Sequence, residues 1–120
     1  MMTSTPAPNL ISTIETGRNH LTVVNLLAPP IEKQAALVTL LQQGITEEMS
    51  HRPGFISANI HRSLDSNHVL VYAQWESSEA LQGAVAALER GETPNMISAF
   101  KLGNPQYHPY EVVSIHQAAL

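Results

Sequence analysis

The stretch from Val69 to Ala80, VLVYAQWESSEA, constrains the fold more than any other part of the chain. Its first half is β-branched and aromatic, without Gly or Pro, and reads as a strand. Its second half reads as a helix start. Ser77 can cap the first free N–H groups, and Glu79 sits in the first turn, where the helix dipole favours an acid. A chain that passes from strand to helix within two residues folds the helix back over the sheet. The only Trp, Trp75, stands at that junction. Cavities between sheet and helix open at such places. Trp75 is therefore either a core plug, the commoner role for a lone Trp, or a cavity wall.

The remaining elements follow from local chemistry. His20–Leu27 reads as a strand, with Leu21, Thr22, Val23 and Val24, and Pro29-Pro30 ends it. Ile31, Ala35, Val38, Leu41, Ile45 and Met49 then recur at helical spacing, which predicts a helix to about His51 with this apolar face. Gly44 weakens that helix by about 1 kcal/mol relative to Ala. Arg52-Pro53-Gly54 terminates it. Phe55–Arg62 and His68–Glu76 are strands joined by turn residues, Asp65 among them, and so form a hairpin. A helix over Ser78–Arg90 directs Leu81, Ala84, Val85 and Leu88 inward and ends at Gly91. Thr93-Pro94 opens a short helical piece with Met96, Ile97 and Phe100, and Tyr107–His116 is the last strand. The order βαββαβ predicts a ferredoxin-like α+β domain: an antiparallel sheet with its helices on one face and the other face bare.

Residues 1–18 are rich in Ser, Thr and Pro and read as an arm ahead of a domain over residues 19–120. Leu10, Ile11 and Ile14 could pin part of that arm to a surface, including that of a partner subunit. Met1 to Asn9 has neither a basic cluster nor an apolar run, so no signal peptide is expected. Nothing approaches the length of a membrane span. Cysteine is absent, which removes disulfides and thiolate chemistry and fits a cytoplasmic location. A net charge of −4 with six Lys and Arg gives no electrostatic footprint for nucleic acid or a membrane surface. The six histidines, His20, His51, His61, His68, His108 and His116, include no H-x-H or H-x₃-H pair, so no metal site is expected. No phosphate loop, nucleophile elbow or paired-carboxylate motif occurs. Charged residues make up 13% of the chain, against about 25% in an average soluble domain. Burying one uncharged face in an oligomer resolves that imbalance.

Strand alternation groups the candidates. Trp75, Ala73 and Val71 share one face, and Tyr72 and Gln74 share the other. In the preceding strand, simple alternation groups Phe55, Ser57, Asn59 and His61. The segments Pro53-Gly54-Phe55-Ile56-Ser57-Ala58, His61-Arg62-Ser63 with Asp65, and Tyr72-Ala73-Gln74-Trp75-Glu76-Ser77 resemble the antibiotic biosynthesis monooxygenase family, closely over residues 50–82 and loosely elsewhere. The resemblance implies a dimeric α+β barrel in which two bare sheet faces close together. It also implies a cavity beneath the helices that Trp75 faces, with His61, Phe55, Ser57 and Asn59 around it. The implied chemistry is oxygenation by O2 of an electron-rich aromatic, a phenolic or anthrone-type polyketide ring, without metal, flavin or other cofactor. Trp75 would stack on the ring or donate its N–H, and His61 would move a proton.

Two positions depart from the family pattern. Polyketide-oxidising members carry an Asn where this chain has Val71, and a Tyr where it has Leu81. The cavity then holds an apolar ligand, or uses Asn25, Asn59 or His61 instead. A haem-degrading relative would need an axial His on the helix after the Trp, and Ser78–Arg90 contains none. The other reading is a non-catalytic or stress-related binding protein on the same barrel. Polar groups converging on Trp75 favour the enzyme, and an aliphatic lining favours the binder. On either reading the low charge and the bare sheet face predict a homodimer at micromolar concentration. Sedimentation should give twice the chain mass, and a stable monomer would refute it.

Overall fold

The chain begins its first described segment as an irregular arm; a computed structural model describes residues 10–16 and 19–119. Residues 1–9 and 17–18 of the expected arm, and residue 120 of the expected domain, lie outside them. Strand β1 (Leu21–Leu27) is followed by a 3₁₀ turn at Ile31–Lys33 and helix α1 (Gln34–Gly44), which runs on as a π-helical segment over Ile45–Met49. Strands β2 (Phe55–Arg62) and β3 (Val69–Trp75), helices α2 (Ser78–Glu89) and α3 (Pro94–Gly103), and strand β4 (Gln106–Tyr110) complete the fold. The sheet order is β2-β3-β1-β4, antiparallel throughout. This is the ferredoxin-like βαββαβ arrangement.

Local chemistry sets the ends of these elements. The Ser77 hydroxyl accepts from the Ala80 N–H and caps α2. Gly91, at φ 78°, ends α2 and lets Arg90 and Glu92 meet in a two-point pair at 2.9 and 3.0 Å. Hydrogen bonds from Arg90 hold the Glu92 carboxyl below its usual range, but both side chains are exposed, so the pair adds little stability. In the β2–β3 turn, the Ser63 hydroxyl accepts from the Ser66 and Asp65 N–H groups. The Gln34 amide donates to the Ser66 and His68 carbonyls and ties this hairpin to the start of α1. Gly54, at φ 81°, turns the chain into β2, and its Cα lies so close to Ala80 that no side chain fits between them.

The buried face of α1 differs from the expected one. Leu37, Leu41, Gly44 and Met49 are buried, whereas Ile31 is 63% exposed and Ala35 also faces water. The opening 3₁₀ turn winds more tightly than an α-helix, so the first residues fall out of phase with the core. At the other end, the Ser50 N–H donates to the Ile45 carbonyl, five residues back, and the wider turn changes the phase again. Gly44 does more than weaken the helix. A Cβ there would stand 2.5 Å from Met96 Sδ, so the glycine lets α1 and α3 approach closely.

The sheet face away from the helices is less bare than expected. Arm residue Ile14 and tail residues Glu111 to Ile115 border a groove with Thr22, Val24, Tyr72 and Tyr110. Thr22 and Gln74 are buried there, and the Thr22 hydroxyl has no hydrogen-bond partner among the described residues. The last strand stops at Tyr110 instead of His116 because β1 begins at Leu21. Thr22↔Tyr110 is the final β1–β4 pair, and beyond it the tail has almost no strand left to pair with.

Glu48 caps α3 from a distance. Its two carboxylate oxygens accept from the Asn95 and Met96 N–H groups at 2.8 and 2.9 Å. Thr93, at the N-cap position, makes no such bond. A carboxylate at a helix N-terminus satisfies free donors and meets the positive end of the dipole. Glu48→Ala should therefore lower stability by about 1–2 kcal/mol in urea unfolding, while Glu32→Ala, on the exposed 3₁₀ turn, should change it by less than about 0.5 kcal/mol.

Candidate active site

A cavity of about 260 Å³ lies between the sheet and the helices. The sheet contributes a floor of Val23, Asn25, Ala58, Val71 and Ala73, α1 and its π segment contribute Leu41, Ile45 and Met49, and α2 contributes Leu81, Val85 and Leu88. Ile45 and Met49, four residues apart, both reach the cavity. Trp75, 4% exposed, closes one end. It meets Phe55 edge to face, with centroids 5.3 Å apart and planes at 87°, a geometry worth about 0.5–1.5 kcal/mol beyond the area buried. Backbone pairing holds the two rings together: Phe55 and Trp75 are cross-strand partners, and the Glu76 N–H donates to the Gly54 carbonyl at 2.7 Å. A buried indole usually finds an acceptor. Among the described residues the Trp75 N–H has none.

Of the candidates read from the sequence, Trp75, Phe55, Asn25, Val71 and Leu81 lie in the cavity wall. Ser57, Asn59 and His61 do not. The register slips between Phe55 and Ser57, so Phe55 pairs with Trp75 but Ser57 pairs with Gln74. One extra residue in β2 reverses the facing of everything after it. Ala58 thereby takes the floor position that simple alternation assigns to its neighbours. Ser57 instead hydrogen-bonds the Gln74 amide oxygen at 3.0 Å. Asn59 donates to the Tyr72 carbonyl and accepts from the Ser12 hydroxyl at 2.7 Å, while His61 pairs with Leu70 and is exposed. The expected grouping of His61 with Trp75 is therefore corrected: they stand on opposite sheet faces.

Sequence reading missed Met49, Met96, Phe100, Pro105 and Tyr107 as wall residues. Met49, Met96 and Phe100 could have been suspected from helical periodicity. Tyr107 depends on the pairing of β4 with β1, which no local pattern announces. Among the described residues, no Asp, Glu, His, Lys or Arg side chain lines the cavity and no cluster of metal-binding side chains occurs. Nor is any helix of the described residues long and apolar enough to cross a membrane.

This geometry separates the two readings of His61 and Trp75. His61→Ala should leave binding of an aromatic phenol to the cavity unchanged within about twofold. Trp75→Phe should keep the fold, with a stability loss of roughly 1 kcal/mol, yet weaken that binding. Calorimetric titration and thermal melts of both variants check this; strong loss of binding in His61→Ala would overturn the assignment of faces.

The sequence profile described as antibiotic biosynthesis monooxygenase matches residues 20–90, from the start of β1 through the end of α2. The chain is 38% identical over 77 residues to the tetracenomycin-F1 monooxygenase of Streptomyces glaucescens, a match covering 64% of this chain and 60% of that protein's length. A crystal structure of a monooxygenase from ActVA-Orf6 of Streptomyces coelicolor, in complex with the ligand nanaomycin D, superposes with a TM-score of 0.67 at 27% identity, over 85% of this chain and 94% of that one. SnoaB, a cofactor-independent oxygenase from Streptomyces nogalater, has the same fold, with a TM-score of 0.70 at 17% identity over 81% and 96% of the two chains. The family match contains Trp75, Phe55, Asn25 and the bulged hairpin, and the chain belongs to the antibiotic biosynthesis monooxygenase family.

Proposed function

We propose that this chain is a cofactor-independent monooxygenase acting on a compact, electron-rich aromatic of the polyketide or quinol type. The observation that carries the reading is Trp75, whose ring walls an apolar cavity and whose indole N–H has no acceptor among the described residues. A phenolic or anthrone-type ring brings its own reducing power. Loss of a proton gives a delocalised anion, which passes one electron to O2. The two radicals combine into a peroxide at the same carbon. Loss of water then leaves a carbonyl, so one oxygen atom enters the ring and the other leaves as water. The protein needs to hold the ring, keep bulk water away and stabilise negative charge on oxygen. The apolar walls exclude water, and the Trp75 N–H is free to bond that oxygen.

The absence of any titratable carboxylate or imidazole from the wall shapes the substrate class. Without a base of its own, the cavity suits substrates acidic enough to ionise near neutral pH, as anthrones and polyhydroxylated rings are. The ActVA-Orf6 monooxygenase, bound to nanaomycin D, supports an aromatic ligand of this kind. A dimer through the sheet face away from the helices would give the exposed Leu10, Ile11 and Val113 of the arm and tail a partner. The arm over residues 1–18 would then brace the partner, while residues 19–120 carry the site.

A second reading has a specific observation in its favour. Val71 and Leu81 extend the aliphatic wall, and the polar lining residues Asn25 and Tyr107 stand away from Trp75, the lining expected above of a protein that binds an aromatic without oxidising it. Oxygen uptake separates the two. With EDTA present and no metal or flavin added, the purified protein should consume O2 and form quinone from dithranol, a dihydroxyanthrone, well above the uncatalysed rate. Trp75→Phe should lower that rate at least about tenfold through loss of one transition-state hydrogen bond. Tight binding of dithranol without O2 consumption would favour the binding protein. Absence of binding would remove both readings.

A further inference from the structure

The polar side chains of the cavity are gathered at the end away from Trp75. Asn25 of β1 pairs with Val71 of β3 on one side and with Tyr107 of β4 on the other. Directly paired residues share a face, so Tyr107, Asn25 and Val71 form a row across the cavity floor. The row that pairs Trp75 with Leu21 and Phe55 lies four residues away along the strands, roughly 13 Å at about 3.3 Å per residue. Between them the floor is Val23, Ala73 and Ala58. Two alanines leave a low bed, flanked by aromatic rings at one end and an amide and a phenol at the other.

Tyr107 is placed to serve two environments. It lines the cavity and is nevertheless 46% exposed, so it forms part of the rim. Neither its hydroxyl nor the Asn25 amide has a hydrogen-bond partner among the described residues. Small-molecule sites with apolar walls fix ligand orientation through a few polar groups placed in this way. Tyr107 also lies outside the family match, which ends at residue 90.

We propose that Tyr107, together with Asn25, is the specificity-determining pair that binds an oxygen on the edge of the substrate ring. The ring enters with its hydrocarbon body over Ala73 and Ala58, toward Trp75 and Phe55, and keeps one oxygenated edge at the Tyr107 rim. The favoured ligand class is a fused two- or three-ring aromatic with a hydroxyl or carbonyl at one end and none at the other. This inference rests on the reading of the cavity as the substrate site.

The test compares 2-naphthol with naphthalene, two probes that differ by a single hydroxyl, by calorimetry on the wild-type protein and on Tyr107→Phe. The substitution should weaken 2-naphthol binding about fivefold, the value of one neutral hydrogen bond, and leave naphthalene affinity unchanged. Naphthalene thus reports whether the variant keeps its fold and cavity. Asn25→Leu should act in the same direction. The proposal is overturned if the ratio of the two affinities is the same in wild type and Tyr107→Phe, or if the wild type does not bind 2-naphthol. Dithranol oxidation with an unchanged ratio would leave the proposed activity standing and remove this pair; a shifted ratio without oxidation would do the reverse.

Discussion

The contact between Phe55 and Trp75 is the constraint on which the rest of the structure depends. It joins the first residue of one strand to the last residue of its neighbour. The Gly54 carbonyl and the Glu76 N–H close the same end of the hairpin. Immediately beyond, Ser77 caps α2, so the helix leaves the sheet within two residues of the indole. The chain cannot fill that corner with helix, and a space remains between sheet and helices that the edge-to-face pair closes at one end.

The bulge beside that contact decides which chemistry is available. By adding Ile56 between Phe55 and Ser57, it keeps the aromatic ring on the cavity side and turns Ser57, Asn59 and His61 away. Three polar side chains leave the cavity, and an alanine floor remains. What is left is an apolar chamber with Trp75 at one end and Asn25 and Tyr107 at the other. The reaction proposed above, in which the substrate provides the electrons, asks of such a chamber only position and a dry setting. Among the described residues the wall holds no carboxylate, imidazole or amine.

The π segment at the end of α1 contributes to the same chamber. Ile45 and Met49 both line the cavity, and the absence of a side chain at Gly44 lets Met96 of α3 close in beside them. Glu48, in the same segment, uses its carboxylate to hold the start of α3. Five consecutive residues thus shape a wall and anchor the helix that covers it.

Much of this molecule is written in short-range chemistry. The switch from strand to helix around Trp75, the cap at Ser77, the left-handed turn at Gly91 and the turn residues between β2 and β3 are local preferences, and they determine the βαββαβ order by themselves. The family pattern around Pro53–Ala58 and Tyr72–Ser77 is local as well. The identity of the cavity wall is not. Strand alternation is reliable only while the register is unbroken, and a bulge costs too little and leaves too faint a sequence mark for Ile56 to reveal it. Tyr107 joins Asn25 only because β4 pairs with β1, a contact between residues more than 80 positions apart. The phase of α1 depends on how a 3₁₀ turn and a π turn fit against α3. The sequence by itself determined which elements form and in what order, because propensities and caps act over a few residues. The tertiary structure decided which side chains share the cavity, because facing is a property of pairing between distant strands.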